Sequence, residues 1–341
     1  MFALLGISVY AQKQNKAEAK ALTAFLSQPA AEGGTNAEVL GTSDPSAIPG
    51  FVYADGRVTA IDLKEKKIGG QLILDGFEAL EKVDVSRNGL TALTVINCPA
   101  LNELNASRNK IGVCTLANCT NLKKVMVYRN RITEFDVSQL PSVENINCSS
   151  NYLAELAISN SNTLKTLNCQ SNHLEILDLN DCTALKNLYC GYNKLTSLNL
   201  VGTVNLQNLN ADNNQIRNLL IQGQSSLASL LCSDNNMTNL AVNNCNNLLD
   251  LICSYNNLTE LTVEKCPNLQ FVDCSYNDLT QLSLPNQTFL QRLLCSNNQL
   301  QMVDVSFDPA LTYLNCRYNM INDLRTVGDD NLMQVSCQWN P

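Results

Sequence analysis

A 21-residue repeat restricts what this chain can fold into more than any other feature. From Leu80 onward, apolar residues recur at the same places in every copy, with no insertion or deletion. Repeats this short cannot each bury a core, so they must stack on one another in a solenoid. Counting the first residue of a copy as position 0, the thirteen copies begin at Leu80, Leu101, Leu122, Val143, Leu164, Leu185, Leu206, Leu227, Leu248, Leu269, Leu290, Leu311 and Leu332.

The spacing inside each copy indicates short strands. In the copy that starts at Leu164, Leu167 and Cys169 alternate with polar neighbours, and so do Leu177 and Leu179. Alternation with a period of two is typical of strands and excludes a helix. We therefore expect two short strand segments in each coil, separated by a turn. One further coil of 22 residues is predicted from Val58. It has Lys66 at the place where each of the thirteen later copies has an asparagine.

Position 8 of the repeat is asparagine in all thirteen copies. A buried amide can donate and accept hydrogen bonds along a stack, where each coil turns a corner. We interpret these residues as a structural ladder with no direct part in function. They are Asn88, Asn109, Asn130, Asn151, Asn172, Asn193, Asn214, Asn235, Asn256, Asn277, Asn298, Asn319 and Asn340.

These motifs resemble the leucine-rich-repeat family, whose pattern is LxxLxLxxNxL. The 21-residue form with a cysteine at the third apolar place is similar to the bacterial variant seen in internalin J. The resemblance covers roughly residues 58–341. It implies a right-handed curved solenoid with a parallel β-sheet on the concave face and second short strands or extended segments on the other side. It implies little about the ligand, because repeat scaffolds carry function on variable surface positions.

The fifteen cysteines follow the repeat. Nine occupy position 5, five occupy position 18, and Cys114 takes a leucine place at position 13. Stacked coils about 4.8 Å apart hold parallel side chains that suit neither disulfides nor a tetrahedral metal site. We expect buried free thiols that pack as small hydrophobic groups. Occasional disulfides and redox sensing remain alternatives.

The residues before the first coil differ in composition. Residues 1–11 are interpreted as the remnant of a signal peptide cleaved after Ala11, or alternatively as a buried terminal segment. Residues 12–57 are predicted to form a helical cap and lead-in to the solenoid at 58–341. One helix is expected over Lys16 to Ser27, with Ala17, Ala21, Leu22, Phe25 and Leu26 on its apolar face. A second is expected between the capping box at Thr35 and the stop at Gly41. A partner-binding helix is the alternative to the cap.

Charge and motifs exclude several functions. The net charge of −8 argues against nucleic acid, and no apolar stretch is long enough for a transmembrane segment. His173, the only histidine, lies in an exposed turn. The recurring aspartates Asp136, Asp178 and Asp304 are too far apart for paired-carboxylate catalysis. We predict no catalytic residues, no metal and no cofactor.

The candidate binding residues are those expected to point outward from the concave strand, at positions 2, 4 and 7. Arginines in the first copies suggest an anionic partner, and aromatic and aliphatic groups further along suggest a protein or glycan interface. The alternatives are a solvated basic face and aromatics that simply favour strands. The candidates are Arg87, Arg108, Arg129, Tyr189, Tyr192, Leu231, Ile252, Tyr255, Phe271, Tyr276 and Tyr318.

Together these features predict a non-catalytic, adhesin-like binding module. We expect a monomer that is secreted or held on the surface of a bacterium and that binds a protein or glycan. A structural protein that self-associates through its coil end is one alternative. A glycan-acting enzyme is another, although no convergent acid pair is found.

Overall fold

In a computed structural model the chain forms two compact units, Met1–Leu122 and Lys123–Pro341. The structure describes residues 15–158, 161–222, 224–285, 287–306, 308–328 and 330–341. The predicted signal segment at 1–11 lies outside the described residues. We refer to the two units as the N-terminal unit and the C-terminal unit.

The N-terminal unit begins with two helices, α1 (Lys16–Leu26) and α2 (Asn36–Leu40). As predicted, Thr35 and Glu38 form a capping box, and Gly41 ends α2 in the left-handed conformation. The predicted apolar face of α1 is wrong at Ala17, which is exposed, whereas Glu18 is fully buried. The reason is a tertiary contact, because the Glu18 carboxylate accepts the backbone N–H of Val58 at 2.9 Å.

The coils of the N-terminal unit contribute strands to two sheets. β2, β4 and β6 pair in parallel, and β1 adds an antiparallel hairpin strand to β2. β3, β5 and β7 form the second parallel sheet. The strands are β1 (Phe51–Ala54), β2 (Arg57–Asp62), β3 (Gly69–Asp75), β4 (Lys82–Asp84), β5 (Gly89–Ile96), β6 (Glu103–Asn105) and β7 (Val113–Ala117).

The long sheet of the C-terminal unit is parallel and in register, because one strand from each coil occupies positions 2–4. Its strands are β8 (Lys124–Met126), β10 (Asn145–Asn147), β12 (Thr166–Asn168), β13 (Asn187–Tyr189), β15 (Asn208–Asn210), β17 (Ser229–Leu231), β19 (Asp250–Ile252), β21 (Phe271–Asp273), β22 (Arg292–Leu294), β24 (Tyr313–Asn315) and β26 (Gln334–Ser336).

Shorter sheets lie on the other side of each coil. β9 pairs with β11, β23 pairs with β25, and four strands form the sheet β14-β16-β18-β20. The second strand expected at Leu177–Leu179 is an extended segment instead, where Asp178 accepts the backbone N–H of Asn180. These strands are β9 (Glu134–Asp136), β11 (Glu155–Ala157), β14 (Ser197–Leu198), β16 (Asn218–Gln222), β18 (Asn239–Asn243), β20 (Glu260–Glu264), β23 (Met302–Asp304) and β25 (Asp323–Arg325).

The asparagine ladder has the geometry expected of a structural element. Asn193 donates through Nδ2 to the carbonyls of Cys169 and Cys190, both at 3.0 Å, and to that of Gly191 at 3.3 Å. Its Oδ1 accepts the backbone N–H of Leu174 at 3.0 Å. Each rung therefore links two coils and satisfies backbone groups where the chain turns.

Replacing Asn193 by alanine is expected to destabilise the protein by about 1–3 kcal/mol, because the buried Leu174 N–H loses its partner. Urea unfolding measures this change. Asn340→Ala is the matched control. Asn340 makes the same bonds to Ile321 and Cys316, but it is less buried, so water can replace the amide. Equal effects of the two substitutions would contradict the account of the ladder.

Candidate ligand-binding face

Position 7 of the repeat does not lie on the strand as expected. The strand ends at position 4, and all thirteen residues at position 7 adopt positive φ angles between 53° and 64°. The chain turns its corner here, as shown by Tyr255, whose N–H donates to the carbonyl of Ser275 in the next coil at 3.0 Å. The side chains at position 7 therefore project from a left-handed turn beside the long sheet.

The residue types at position 7 are unusual for this backbone conformation. Asparagine and aspartate tolerate positive φ, and Asn213, Asp234 and Asn297 fit that preference. Bulky side chains do not, and such a conformation costs about 1–2 kcal/mol for most residues. The tyrosines and arginines at this position are therefore not explained by local backbone preference.

The aromatic side chains at position 7 of the C-terminal unit form what we call the ring face. Tyr255 and Tyr276 stack with ring centroids 4.2 Å apart and planes 9° apart. Tyr318 and Trp339 stack at 5.7 Å and 6°. Between 45% and 70% of each of these residues is exposed, as it is for Tyr192. The ring face comprises Tyr192, Tyr255, Tyr276, Tyr318 and Trp339.

Four other candidates lie on the outward face of the long sheet as expected. Leu231 and Ile252 are neighbours in register at position 4, and both are half-buried. Phe271 lies at position 2, and its ring contacts the guanidinium of Arg292. Tyr189 lines a separate groove of about 380 Å³ with Lys124, Met126 and residues of two intervening strands.

Acidic side chains neutralise part of the positive charge around the candidate arginines. In the N-terminal unit Arg87 pairs with Glu65 at 2.9 Å, and Lys82 pairs with Glu103 at 3.1 Å. These exposed pairs contribute little stability, but they reduce the positive charge available to an anion. Arg108 is half-buried in the same unit, and Arg129 is exposed in the C-terminal unit. An anionic partner is therefore less supported than the aromatic face.

All fifteen cysteines lie in the described residues and are free, and all but Cys337 are buried. Cys337 is exposed, in contrast to the prediction, and it directly follows β26 at the edge of the long sheet. Burial raises the pKa of Cys114 and Cys169 to about 12. Cys266 is an exception, because a hydrogen bond from Cys245 lowers its pKa to about 7. The same arrangement recurs at Cys98 and Cys119. The 21-residue spacing at position 18 predicts that these thiols are neighbours, but it does not predict the lowered pKa of one partner.

The single histidine and the recurring aspartates make contacts within the fold itself. His173 is exposed and stacks on Tyr152 at 5.8 Å. Asp136 and Asp304 each accept a backbone N–H two residues later, which explains why aspartate recurs at this position. In the described part of the chain no group of histidine, cysteine and acidic residues could hold a metal ion. No helix found there is long and apolar enough to cross a membrane.

Sequence reasoning missed one arrangement beside the ring face. The guanidinium of Arg292 lies between the rings of Phe271 and Tyr313, 5.1 and 5.5 Å from their centroids. All three residues occupy position 2 in consecutive coils. The sequence shows that these residues are 21 positions apart, but it does not show that the guanidinium packs between the two rings.

Comparison with solved structures identifies the fold. The functional domain of InlJ from Listeria monocytogenes, which includes a cysteine ladder, is 23% identical with a TM-score of 0.58, over 82% of this chain and 67% of that chain. YopM from Yersinia enterocolitica is 28% identical with a TM-score of 0.61, over 77% of this chain and 60% of that chain. A leucine-rich-repeat protein from Leptospira interrogans is 21% identical with a TM-score of 0.58, over 71% of this chain and 70% of that chain.

No protein-family model matches the sequence, and no curated protein matches it. The structural similarities nevertheless confirm the predicted fold class. This chain is a leucine-rich-repeat solenoid similar to those of bacterial proteins.

Proposed function

We propose that this leucine-rich-repeat protein is a non-catalytic binding module that contacts a partner protein through the ring face. The observation that carries the proposal is the set of exposed aromatic rings held in a left-handed turn, a backbone conformation that bulky side chains rarely adopt. Tyrosine and tryptophan are enriched at the energetically important centres of protein interfaces. Five such residues at one position of the repeat are best explained by a ligand.

Several features support binding over catalysis. Solenoids of this kind present extended surfaces to ligands. The aspartates that recur along the chain cap their own turns, and the single histidine stacks on a tyrosine. The surface beside the ring face is aliphatic at Leu231 and Ile252, which enlarges the apolar area that a partner could cover.

We also propose that the protein acts outside the bacterial cell as a monomer. The apolar run at 2–11 supports export, with the helices of residues 12–57 covering the first coil of the solenoid at 58–341. The buried faces of α1 and α2 support this cap, because Asn36 bonds both to the carbonyl of Phe25 and to the backbone of Gly69.

The experiment is a screen of the full chain against arrays of extracellular proteins and of glycans, followed by affinity measurement in solution. A protein ligand whose binding depends on the ring face supports the proposal. A glycan ligand would replace the proposed partner class. Sedimentation over a range of concentrations tests the remaining alternative, because growth in size without any ligand would favour self-association.

A further inference from the structure

The two stacked pairs of the ring face are separated by one coil that has no ring at position 7. In five consecutive coils of the C-terminal unit, position 7 holds Tyr255, Tyr276, Asn297, Tyr318 and Trp339. The first two rings stack on each other, and so do the last two. Asn297 stands between the stacks, and its short side chain carries no ring. We call the space between the rings of Tyr276 and Tyr318 the ring slot.

The coils are continuous on both sides of the ring slot. The N–H of Asn277 donates to the carbonyl of Asn297 at 3.1 Å, and the N–H of Asn297 donates to that of Arg317 at 2.9 Å. The adjoining strands β21, β22 and β24 pair in register. The two flanking rings therefore belong to coils two spacings apart, which is about 9.6 Å.

This width suits one planar ring. A ring midway in the slot would lie about 4.8 Å from each neighbour. The two existing stacks have centroid separations of 4.2 and 5.7 Å, which bracket that distance. Tyr276 and Tyr318 are 45% and 49% exposed, so an incoming group can reach them.

The same three coils already hold a planar group in this way. At position 2, Arg292 fills the space between Phe271 and Tyr313, at 5.1 and 5.5 Å from their centroids. At position 7 the equivalent space has walls of the same kind, but Asn297 is too short to fill it. The fold itself thus shows that two rings two coils apart accept a flat group between them.

The charges nearby do not select a charged ligand. In these three coils the strand and turn carry Asp273 and Asp278, and also Arg292 and Arg317. Two negative and two positive groups leave no net charge on the strands and turns of these coils, so neither a cation nor an anion is favoured overall. A neutral ring that stacks on both sides is the occupant that best fits these surroundings.

We infer that the ring slot accepts a tyrosine, phenylalanine or tryptophan side chain of the partner protein, which completes a stack of five rings. This inference rests on the proposed function, because it assumes that the partner binds at the ring face. It adds the chemical class of the group that the partner inserts.

The test uses N-acetylphenylalaninamide as the probe. Saturation-transfer NMR and the emission of Trp339, the single tryptophan of the chain, report its binding. We expect millimolar affinity and at least tenfold weaker binding to Asn297→Tyr, whose own ring fills the slot. Asn213→Tyr is the matched control, since Asn213 has the same conformation with φ 54° but has Asp234, not a ring, in the next coil. It should bind within twofold of the wild type.

A second variant keeps the test valid if Asn297→Tyr misfolds. Tyr318→Asn removes one wall of the slot and should also weaken binding at least tenfold. The inference is overturned if both variants bind the probe like the wild type. It is also overturned if N-acetylargininamide or methyl glucoside binds more tightly than the aromatic probe.

Failure of this inference can be told apart from failure of the proposed function. A partner that loses affinity when Tyr255 and Tyr276 are replaced, but not in Asn297→Tyr, overturns the ring slot and leaves the proposed function standing. A slot that binds the aromatic probe while every partner ignores the ring face overturns the proposed function instead.

Discussion

Raising the pH from 8 to 10 under reducing conditions is expected to unfold this protein. Eight buried cysteines at position 5 have a raised pKa because burial disfavours the thiolate. They are Cys148, Cys169, Cys190, Cys232, Cys253, Cys274, Cys295 and Cys316. In the unfolded chain the same thiols ionise near pH 8.5.

The sign of the effect follows from proton linkage. Between about pH 8.5 and the raised pKa, the unfolded state releases protons that the folded state retains, so stability falls as the pH rises. Each thiol that stays protonated in the folded state lowers the free energy of unfolding by about 2 kcal/mol by pH 10. The combined loss from eight such thiols exceeds the free energy of unfolding of about 5–15 kcal/mol that is typical of a folded domain.

Circular dichroism during an alkaline titration, with a reductant present, measures the transition. Lysine and tyrosine also titrate at high pH, so the control replaces cysteines by alanine, which already occupies position 5 at Ala106 and Ala211. Changing Cys190, Cys253 and Cys274 to alanine should move the unfolding midpoint to higher pH. A midpoint that stays in place would show that the thiols do not drive alkaline unfolding.

Much of the fold could be predicted because the repeat fixes it locally. The spacing of leucine and cysteine gives the strand at Leu167, and the invariant asparagine gives the ladder. The capping box at Thr35 and the stop at Gly41 depend only on nearby residues, so helix α2 was predicted correctly. Each of these features is determined within a few residues of the chain.

Other features depend on contacts between distant residues. Glu18 is buried because it bonds to Val58, 40 residues away.

Two turns were missed although the sequence carried a signal for each of them. Strand β1 was not predicted, although Asp55 and Gly56 form a turn with positive φ angles that is typical of a hairpin. The left-handed turn at position 7 was hidden because most of its residues are tyrosine, arginine or serine. Asn213 and Asn297 were the available signal.

Replacing Tyr255 and Tyr276 together by asparagine is expected to weaken partner binding by at least 2 kcal/mol, about thirtyfold. Both rings are half exposed, so their removal takes away contact area without opening the core. Asparagine suits the left-handed backbone, which offsets the loss of the stacking contact. Unfolding free energy should therefore change by less than about 1 kcal/mol.

Calorimetry or surface plasmon resonance gives the affinity, and urea unfolding gives the stability. Leu220→Asn is the control, because Leu220 is a 62% exposed side chain in strand β16, on the shorter sheet of the same unit. This change should leave binding intact. If it abolishes binding while the double tyrosine variant does not, the interface lies on the other side of the coils.

The most direct test of the binding face is hydroxyl-radical footprinting of the full chain with and without its bound partner. The method labels exposed aromatic and methionine side chains, so it reports on the rings themselves. We expect the partner to suppress labelling of Tyr255, Tyr276 and Tyr318. Met302, which is 44% exposed in strand β23 of the two-stranded sheet β23-β25, should be labelled as before. Unchanged labelling of the three tyrosines together with protection of Met302 would contradict the proposal that this protein binds through its ring face.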